Sequence, residues 1–415
     1  MKEETDMRKT DDKIINITDD VKWIGILDYD IKTFDIVMTT EYGTTYNSYY
    51  INGNKKALIE VSKEQFSETY FEKLRSVTDP SDISYIILDH TEPDHSGSLK
   101  LLLKEAPSAT VVGSGNAIKY LEEIMNIPFR SKVVKDGDAI DLGGKTLRFI
   151  AAPNLHWPDS IYTWLEEDRV LFTCDSFGAH YCSDEMADDL NENYLRAVKY
   201  YFDVILRPYS KFMVKAIEKI RPLDIRYICP GHGPILDINR DKVVELTWKY
   251  ASEYLQNNAG VSGNTILIAY VSAYGYTGEA AEIIAESIRE IGDYDVKVVD
   301  IEHIGTDELD SLLTISSALL VGSPTINQNT LLPVYKLFAL INPIRDRGKL
   351  AGAFGSYGWS GEAPEIINEV FKSLKLKIFE ETLAFKFRPS GSKQEDLKLF
   401  GKKFAEKFAE NCNQK

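Results

Sequence analysis

Four side chains that commonly bind metal ions fall within six positions of one another, directly after an apolar, β-branched run. They are His90, Glu92, Asp94 and His95, and the run before them is Ile86-Ile87-Leu88. A strand that ends in a loop would hold this cluster at one edge of a sheet, where side chains from several segments can converge. One mononuclear site seldom needs four ligands from one loop, so the spacing favours two metal ions that share the loop.

The second member of this cluster is a carboxylate, and this bears on which metal the site should prefer. Glu92 makes the ligand set harder than one built only from imidazoles. Harder sets favour iron or manganese over zinc. We therefore predict a dinuclear centre, with iron as the first choice.

Three further candidate ligands each come just after a predicted strand. His156 follows a strand that ends near Ile150, Asp175 follows the apolar run that ends at Thr173, and His232 lies between two glycines. Glycine lets neighbouring backbone approach closely. A single histidine is more often an ordinary core or surface residue. Seven candidates in this order and at strand ends are not expected by chance.

The two remaining histidines have different surroundings in the sequence. His180 is close to Asp175, so it is either an outer hydrogen-bond partner of a metal ligand or an ordinary packed or solvated histidine. His303 follows a strand of the second half of the chain, away from the other candidates, and we predict an ordinary role for it.

A second kind of site is indicated later in the chain, between a predicted strand and a predicted helix. The segment is Ser272-Ala273-Tyr274-Gly275-Tyr276-Thr277. Its two hydroxyls, its flexible glycine and the backbone N–H groups of a helix start are suited to hold a phosphate. The segment lacks the GxxxxGK[ST] pattern, so binding of a nucleoside triphosphate is not indicated.

Two later loops carry residues suited to a flat ring. They are Ser323-Pro324-Thr325-Ile326-Asn327 and Ser356-Tyr357-Gly358-Trp359-Ser360-Gly361, each after a predicted strand. Small residues allow close backbone contact, and Tyr357 and Trp359 offer aromatic faces. No dinucleotide fingerprint is present, so the loops favour flavin mononucleotide (FMN) over FAD or NAD.

The first part of the chain mixes strands and helices, which predicts an α+β layered domain. The predicted strands are 22–27, 45–51, 56–61, 83–89, 110–113, 146–150, 161–165, 169–173 and 225–229. The predicted helices are 63–77, 115–125 and 239–256.

The second part alternates strand and helix regularly, which predicts an α/β, doubly wound parallel sheet. The predicted strands are 265–271, 296–301, 318–322, 349–355 and 376–381. The predicted helices are 278–291, 307–311, 332–341, 365–374 and 393–411. A ligand of such a sheet binds at the carboxyl ends of the strands.

These patterns divide the chain into four predicted segments. Residues 1–13 are charged and are expected to form a disordered leader, and residues 14–256 form the first domain. The polar, turn-rich stretch 257–264 is the predicted linker, and residues 265–411 form the second domain.

Charge and cysteine content restrict the partners and the compartment. The net charge is −16, so nucleic acid and anionic membranes are not expected partners. No apolar run approaches the roughly 18 residues of a membrane-spanning helix. The four cysteines form no CxxC pair, and free thiols predict a cytoplasmic location; they are Cys174, Cys182, Cys229 and Cys412.

The seven candidate ligands resemble the metal-binding pattern of the metallo-β-lactamase superfamily, whose loop usually reads HxHxDH. Glu92 takes the place of the second histidine of that loop. With a flavodoxin-like second half, whose phosphate loop [ST]xxGxT matches Ser272, Gly275 and Thr277, the whole chain from about Ile14 resembles the flavodiiron proteins. The resemblance implies an αββα sandwich followed by a flavodoxin-like FMN domain.

The resemblance also implies a ligand assignment and an activity. His90, Glu92, His156 and Asp175 would bind one iron, and Asp94, His95, Asp175 and His232 the other, with Asp175 bridging. Flavodiiron proteins reduce dioxygen to water, nitric oxide to nitrous oxide, or both. The preference between the gases is left open, although Tyr200 and Tyr201 are candidates to influence it.

The family further implies an assembly and an electron donor. A head-to-tail homodimer, or a dimer of such dimers, would bring the FMN of one chain to the diiron site of another. Because no rubredoxin module follows the last predicted helix, the expected donor is a separate rubredoxin, with a reduced deazaflavin as the alternative.

Two other functions compete with this interpretation. One is a zinc-dependent hydrolase of the metallo-β-lactamase superfamily. Glu92 and the flavodoxin-like half oppose it. The other is a flavin electron carrier without gas reductase activity, which the complete set of candidate ligands opposes.

Overall fold

The computed structural model describes residues 11–35, 38–260, 264–343 and 345–412. The chain divides into two compact units, Met1–Tyr254 and Leu255–Lys415. The helix Arg240–Gly260 continues four residues beyond the predicted end at Gln256. The first half of the predicted linker 257–264 is therefore helical, because a helix already formed propagates through Asn257 and Asn258 at little cost. Residues 261–263 lie outside the described residues.

The predicted leader also needs correction at its end. Residues 1–10 lie outside the described residues, but Asp11 is held in place. Its carboxylate accepts a hydrogen bond from the backbone N–H of Leu27 at 2.8 Å and pairs with Lys73 at 3.1 Å. Lys73 is only 3% exposed, so this ion pair lies inside the unit. Asp11, which the sequence assigns to the leader, is thus packed into the first unit.

The first unit begins with a series of short strands and continues with mixed strands and helices. Its strands are β1 (Ile15–Asn16), β2 (Val21–Trp23), β3 (Ile26–Asp28), β4 (Thr33–Phe34), β5 (Met38–Thr39), β6 (Thr44–Tyr46), β7 (Tyr49–Ile51), β8 (Lys56–Ile59), β9 (Ile83–Ile87), β10 (Thr110–Gly113), β11 (Ser131–Val133), β12 (Ala139–Asp141), β13 (Thr146–Ala151), β14 (Ile161–Leu165), β15 (Val170–Cys174) and β16 (Tyr227–Pro230). Its helices are α1 (Ser67–Val77), α2 (Pro93–Ser96), α3 (Leu99–Glu105), α4 (Gly115–Met125), α5 (Glu192–Tyr201), α6 (Ser210–Ile220) and α7 (Arg240–Gly260).

Two sheets form the centre of this unit. The larger has the order β1-β2-β7-β8-β9-β10-β11 and the smaller β12-β13-β14-β15-β16. One apolar core lies between the sheets and contains residues of both, such as Ile59 and Phe172. A second core joins the larger sheet to α1, α3 and α4, and a third joins the smaller sheet to α5, α6 and α7. The predicted αββα sandwich is confirmed.

Four helices of this unit, α2, α3, α5 and α6, were not predicted. In α5 the buried residues are Tyr194, Ala197, Val198 and Tyr201, which follow the spacing of one helical face. In α6 the buried Met213, Ala216, Ile217 and Ile220 do the same. Short apolar stripes of this kind give a weak signal in the sequence, because these helices gain most of their stability by packing on the sheet.

The second unit alternates strands and helices as expected. Its strands are β17 (Thr265–Tyr270), β18 (Asp295–Asp300), β19 (Ala318–Gly322), β20 (Leu350–Tyr357), β21 (Lys377–Ile378) and β22 (Leu383–Lys386). Its helices are α8 (Tyr276–Arg289), α9 (Thr306–Ile315), α10 (Leu332–Leu340), α11 (Ala363–Ser373) and α12 (Ser392–Cys412).

The sheet of this unit is parallel and has the order β18-β17-β19-β20-β21. Helices α8 and α12 cover one face, and α9, α10 and α11 cover the other. The doubly wound parallel sheet is thus confirmed. The fifth predicted strand, 376–381, is shorter than expected, because two strands share that position. β21 pairs with the start of β20, and β22 pairs with its end.

None of the helices in the described part of the chain combines the length and the apolar character that crossing a bilayer requires. All four cysteines lie within the described residues, and none of them forms a disulfide bond.

Candidate metal centre and flavin loops

The loop after β9 is folded tightly enough to direct several ligand-type side chains to one place. Glu92 precedes the one-turn helix α2, whose first residue is Pro93. Proline fits this position because the backbone N–H that it lacks would have no helical partner. The backbone N–H of His95 bonds to the carbonyl of Glu92 at 2.9 Å. Asp94 and His95 are buried as a result.

One group of ligand atoms forms around Glu92. Its Oε2 lies 3.2 Å from His90 Nε2 and 3.0 Å from His156 Nε2. Asp175 Oδ2 lies 3.6 Å from His90 Nε2 and 3.4 Å from His156 Nε2. These four side chains come from the ends of β9, β13 and β15, and the structure brings together all four residues that the family resemblance implies for one metal.

A second group forms around Asp94. Its Oδ2 lies 3.4 Å from His95 Nε2 and 3.1 Å from His232 Nε2. Asp175 Oδ1 lies 3.2 Å from His95 Nε2 and 3.6 Å from His232 Nε2. The two oxygens of Asp175 therefore face different groups, which is the arrangement that a bridging carboxylate requires.

The residues present fit two metal ions. Atoms that bind one ion at about 2.0–2.2 Å lie about 3–3.5 Å apart, which matches the separations within each group. Asp94 Oδ1 and Asp175 Oδ2 are buried and have no hydrogen-bond partner. Buried carboxylate oxygens normally have a partner, and a bound cation would supply it. The donor set of imidazoles and carboxylates suits iron.

Two of the candidate histidines are hydrogen-bonded through their Nδ1 atoms, and a third has a carboxylate near its Nδ1 at longer range. Asp159 Oδ2 lies 3.3 Å from His90 Nδ1, and the carbonyl oxygen of Thr45 lies 2.5 Å from His232 Nδ1. Glu60 Oε2 lies 3.8 Å from His95 Nδ1. Contacts of this kind leave Nε2 free to face the metal and fix the ring orientation.

Electrostatic coupling within the centre is strong. Burial alone would raise the pKa of Asp175, but His95 and His90 outweigh it and hold that pKa well below its usual range. Burial would likewise lower the pKa of His90, but hydrogen bonds to Asp159 and Glu92 raise it well above its usual value. Without metal, the raised pKa of His90 and the lowered pKa of Asp175 favour an imidazolium–carboxylate pair, and a metal ion must displace its proton.

His180, for which the sequence left two roles open, lies next to the second group. Its ring is 5.4 Å from that of His232 and 4.9 Å from that of Tyr201. Burial and the neighbouring His232 lower its pKa to about 3, so the ring stays neutral. Its Nδ1 lies 2.9 Å from Thr44 Oγ1, and its Nε2 is buried without a partner. His180 also lines a cavity of about 780 Å³ with Thr39.

Of the two candidate tyrosines, only Tyr201 contacts the centre directly. Its hydroxyl donates to Asp175 Oδ1 at 3.1 Å, and burial raises its pKa well above the usual value. Tyr200 lines the cavity, and its hydroxyl lies 3.3 Å from Thr39 Oγ1. His303 is 77% exposed and pairs with Asp300 at 3.2 Å, in agreement with an ordinary role.

Sequence reasoning missed two carboxylates of the centre, Asp159 and Glu60. Asp159 lies three residues after His156, in a polar loop. An acidic residue in such a loop does not by itself indicate a role in metal binding. Glu60 directly follows β8, so it shares the sheet edge at which β9 ends. That position was the available signal, but an acidic residue after a strand is common, and the pairing of β8 with β9 is not visible in the sequence.

The three predicted flavin loops meet at the carboxyl ends of adjacent strands of the second unit. They follow β17, β19 and β20, which are neighbours in the sheet. Thr277 Oγ1 lies 2.9 Å from Ser356 Oγ, and the backbone N–H of Thr325 bonds to the carbonyl of Ser356 at 2.8 Å. These two hydrogen bonds connect the first and the second loop to the third.

The first of these loops fits a phosphate. Gly275 precedes α8 with a φ of 81°, and nothing lies within 4 Å of a Cβ built on it. The buried Oγ of Ser272 has no partner. Helix α8 begins at Tyr276, two residues before its predicted start, so the N–H groups of its first turn come from the loop itself.

Two aromatic residues of the loops are largely exposed, and two others, Tyr276 and Tyr357, are half-buried. Tyr274 is 82% exposed and Trp359 is 79% exposed, which leaves their faces free for a flat ring. Ser356 and Tyr357 were predicted to lie in a loop, but they form the last two positions of β20. The reason is the added strand β22, which pairs with Ser356 and Tyr357 and extends β20.

Two family models match the chain, one for each unit. The model of the ODP family beta lactamase matches residues 44–233, and the model of flavodoxin matches residues 268–401.

Proteins of known name or structure match this chain over almost its whole length. The flavo-diiron protein FprA2 of Clostridium acetobutylicum is 39% identical over 405 residues, which are 96% of this chain and 99% of that protein. The type A flavoprotein of Rhodobacter capsulatus is 37% identical, over 93% of this chain and 89% of that protein. Among solved structures, the rubredoxin oxygen:oxidoreductase of the anaerobe Desulfovibrio gigas is similar with a TM-score of 0.70 and 28% identity, over 96% of this chain and 99% of that one.

Proposed function

The chain belongs to the flavodiiron protein family, and from this premise we propose that it reduces dioxygen to water, nitric oxide to nitrous oxide, or both. It is an oxidoreductase of the diiron and FMN kind, and its cofactors are FMN and a non-haem diiron centre. The first domain carries the irons and the second the FMN, with the boundary between Tyr254 and Leu255, near the end of α7.

One observation supports this function above the others. Asp175 presents one carboxylate oxygen to His90 and His156 and the other to His95 and His232. This geometry supports two metal ions bridged by one carboxylate, in a chain that also has a flavodoxin domain. We propose that the ligands are the seven candidates that the sequence indicates, His90, Glu92, Asp94, His95, His156, Asp175 and His232.

When bound, the two ferrous ions and reduced FMN supply up to four electrons, which suffice to reduce dioxygen to two waters or to reduce nitric oxide pairwise. The protein holds the groups in place and controls protons. Tyr201 stays protonated, and its hydroxyl donates a hydrogen bond to Asp175 Oδ1. This bond fixes the orientation of the carboxylate. His180 remains neutral, and its free Nε2 offers a hydrogen bond within the pocket.

The binding of FMN is assigned to the three loops at the carboxyl edge of the second sheet. Ser272, Thr277 and the N–H groups around Gly275 are proposed to bind the phosphate. The isoalloxazine ring is proposed to lie between the aromatic residues of the loops. The full set of residues is Ser272, Ala273, Tyr274, Gly275, Tyr276, Thr277, Ser323, Pro324, Thr325, Ile326, Asn327, Ser356, Tyr357, Gly358, Trp359 and Gly361.

The proposed electron donor is a separate rubredoxin. The name of the similar Desulfovibrio gigas protein, rubredoxin oxygen:oxidoreductase, supports both this donor and dioxygen as a substrate. A reduced deazaflavin is the alternative donor. We also propose a head-to-tail homodimer in the cytoplasm, in which each FMN serves the diiron centre of the other chain.

The experiment is a parallel measurement of cofactors and gas consumption. The purified protein is analysed for iron and flavin, reduced anaerobically through rubredoxin, and given dioxygen or nitric oxide while an electrode follows each gas. We expect one FMN and two irons per chain, and consumption of at least one gas. Zinc without flavin would support the hydrolase, and flavin without stoichiometric iron would support the electron carrier.

A matched pair of histidine variants gives the control. His232→Ala removes a proposed ligand and should reduce iron content and gas consumption together. His303→Ala removes a surface imidazole of the flavodoxin domain and should change neither. Loss of consumption in both variants, or in neither, would contradict the assignment.

A further inference from the structure

A series of aromatic rings leads away from the proposed metal centre. The indole ring of Trp157 lies 5.0 Å from the imidazole ring of His90, edge to face at 86°. The phenol ring of Tyr120 lies 6.3 Å from the indole, also edge to face, at 82°. Trp157 and Tyr120 are both half-buried. The rings therefore connect a proposed iron ligand with groups that reach solvent.

The backbone on both sides of Trp157 is held in place. Its carbonyl oxygen accepts hydrogen bonds from the backbone N–H of Asn154 at 2.8 Å and from the hydroxyl of Ser160 at 3.1 Å. The side-chain amide of Asn116 donates to the carbonyl of Pro158 at 3.3 Å. Asn116 lies one turn before Tyr120 on α4, so the same helix that carries the phenol is tied to the loop that carries the indole.

Tryptophan and tyrosine are the aromatic side chains that lose a single electron most readily. The ring separations are short for electron tunnelling, and neither ring belongs to the proposed ligand set or to the flavin loops. We propose that Trp157 and Tyr120 form a protective redox pair, which delivers an electron to the metal pocket when dioxygen arrives before the cofactors hold four electrons. This inference rests on the proposed function.

The electron balance of the step is simple. Complete reduction of one dioxygen to two waters takes four electrons and four protons. If the cofactors hold three electrons, Tyr120 supplies the fourth and releases its phenolic proton to solvent, which leaves a neutral phenoxyl. Trp157 is oxidised transiently and is then re-reduced by an electron from Tyr120. One electron from the external donor and one proton from solvent then regenerate the phenol.

The competing explanation is that Trp157 only packs against His90. Variants that keep an aromatic ring separate the two explanations. Trp157→Phe and Tyr120→Phe preserve much of the packing but remove the easily oxidised group. Trp248→Phe is the control, because Trp248 is 37% exposed and stacks with Arg221 instead of a residue of the centre.

The test uses the iron- and FMN-loaded protein, reduced with a limiting amount of dithionite and then pulsed with dioxygen. Rapid freezing and electron paramagnetic resonance detect protein radicals, and peptide mass spectrometry locates oxidised side chains. We expect a phenoxyl signal in the wild type and in Trp248→Phe that is lost in Tyr120→Phe. In Trp157→Phe we expect several-fold more oxidation of the peptides that contain His90 and His156. With excess reductant, all variants should consume dioxygen at the wild-type rate.

The inference is overturned if the radical persists in Tyr120→Phe, or if oxidation of the ligand peptides is equal in all variants. If the wild type consumes no dioxygen, the proposed function is restricted to nitric oxide, and it fails separately if neither gas is consumed. The same variants are then treated with hydrogen peroxide in excess over the stored electrons. More oxidation of the peptides that contain His90 and His156 in Trp157→Phe than in the wild type would support the redox pair. Equal oxidation in all variants would reject it.

Discussion

Asp159 shows how much of the metal centre depends on a residue that binds no metal. It is fully buried, and one oxygen, Oδ2, receives the backbone N–H of Thr91 at 2.9 Å and the hydroxyl of Thr91 at 2.7 Å besides facing His90 Nδ1. The two bonds from Thr91 fix the carboxylate, and the carboxylate in turn fixes the imidazole. The orientation of His90 is therefore determined before a metal arrives.

We predict that Asp159→Asn weakens iron binding about 10- to 100-fold, the usual effect of losing a hydrogen-bond partner of a metal-binding histidine. The amide keeps the shape of the carboxylate but loses its charge, and an amide N–H directed at Nδ1 would impose the wrong tautomer. Competition with a chelator measures the affinity. Asp224→Asn, at a side chain that is 79% exposed, is the control. Equal affinities in the two variants would contradict the role of Asp159.

The pKa shifts of the histidines predict how metal binding depends on pH. Burial lowers the pKa of His95, but Asp94 and Asp175 outweigh it and raise that pKa, as Asp159 and Glu92 do for His90. The raised pKa values favour the protonated imidazoles in the metal-free protein, and a metal must displace these protons from Nε2. The affinity should rise with pH until the pH passes the raised pKa values, and it should then level off.

Calorimetry of Mn²⁺ or Co²⁺ binding in buffers of different ionisation enthalpy counts the released protons. We expect net proton release at neutral pH and less release at higher pH. Binding that releases no protons at neutral pH would show that the histidines are already neutral and that the imidazolium–carboxylate pairs do not form.

At the scale of single elements, helix α1 is connected to the start of the chain through Lys73. The ammonium group lies over the ring of Trp23 at 4.4 Å, bonds to the carbonyl of Gly25 and pairs with Asp11. Burial lowers the pKa of Lys73 from 10.5 to about 8, and Asp11 opposes this only in part. Between these two values the unfolded chain binds more protons than the folded protein, so stability should rise with pH across this window.

Denaturant unfolding at about pH 8 and at about pH 10 tests this prediction. The difference in unfolding free energy between wild type and Lys73→Met should shift in favour of the wild type at the higher pH. The comparison with Lys73→Met removes the contributions of the buried tyrosines, which titrate in the same range in both proteins. A difference that does not change with pH would mean that Lys73 titrates normally.

Helices α8 and α12 of the flavodoxin domain pack closely because of Gly401. A Cβ built at this position would lie 2.8 Å from the carbonyl oxygen of Ile284 and would also meet the hydroxyl of Ser287. We predict that Gly401→Ala destabilises the domain by about 1–3 kcal/mol, because the helices must separate. Gly305→Ser, where nothing lies within 4 Å of the added Cβ, should be neutral or slightly stabilising. Thermal unfolding monitored by FMN release distinguishes the two variants.

The parts of the fold that could be predicted are those whose signal is local. β9, β15 and β16 are apolar runs followed by ligand-type residues, and their ends lie within two residues of the predicted ends. Helix α5, which carries Tyr201, was missed because its apolar stripe is short and is stabilised mainly by packing on the sheet. The contact of Glu60 with His95 depends on strand pairing, which no local pattern encodes.

The assembly decides which flavin serves which diiron centre. The two cofactors are assigned to different domains, and electrons must pass between them for either gas to be reduced. In the proposed head-to-tail homodimer, transfer occurs between chains. In a monomer, it would occur within one chain. Mixing two inactive chains can distinguish these arrangements, because only transfer between chains can restore a working pair.

One chain carries Asp175→Ala, which removes the carboxylate shared by both metal groups but leaves the FMN loops intact. The other carries Ser272→Glu, which places a carboxylate at the proposed phosphate site but leaves the metal centre intact. Each variant alone should be inactive. In a dimer that contains one chain of each kind, the FMN of the first faces the intact irons of the second, so one of the two pairs works.

We therefore predict that co-expression of the two variants with different affinity tags, followed by tandem purification, restores up to about half of the wild-type gas consumption per dimer, because one of two equivalent sites is complete. Co-expression of Asp175→Ala with His232→Ala, two defects in the same centre, is the control and should restore nothing. If transfer occurs within one chain, the first mixture should be as inactive as the second. A fully active wild-type monomer in sedimentation would independently show transfer within one chain, since no partner chain would then be available to receive the electrons.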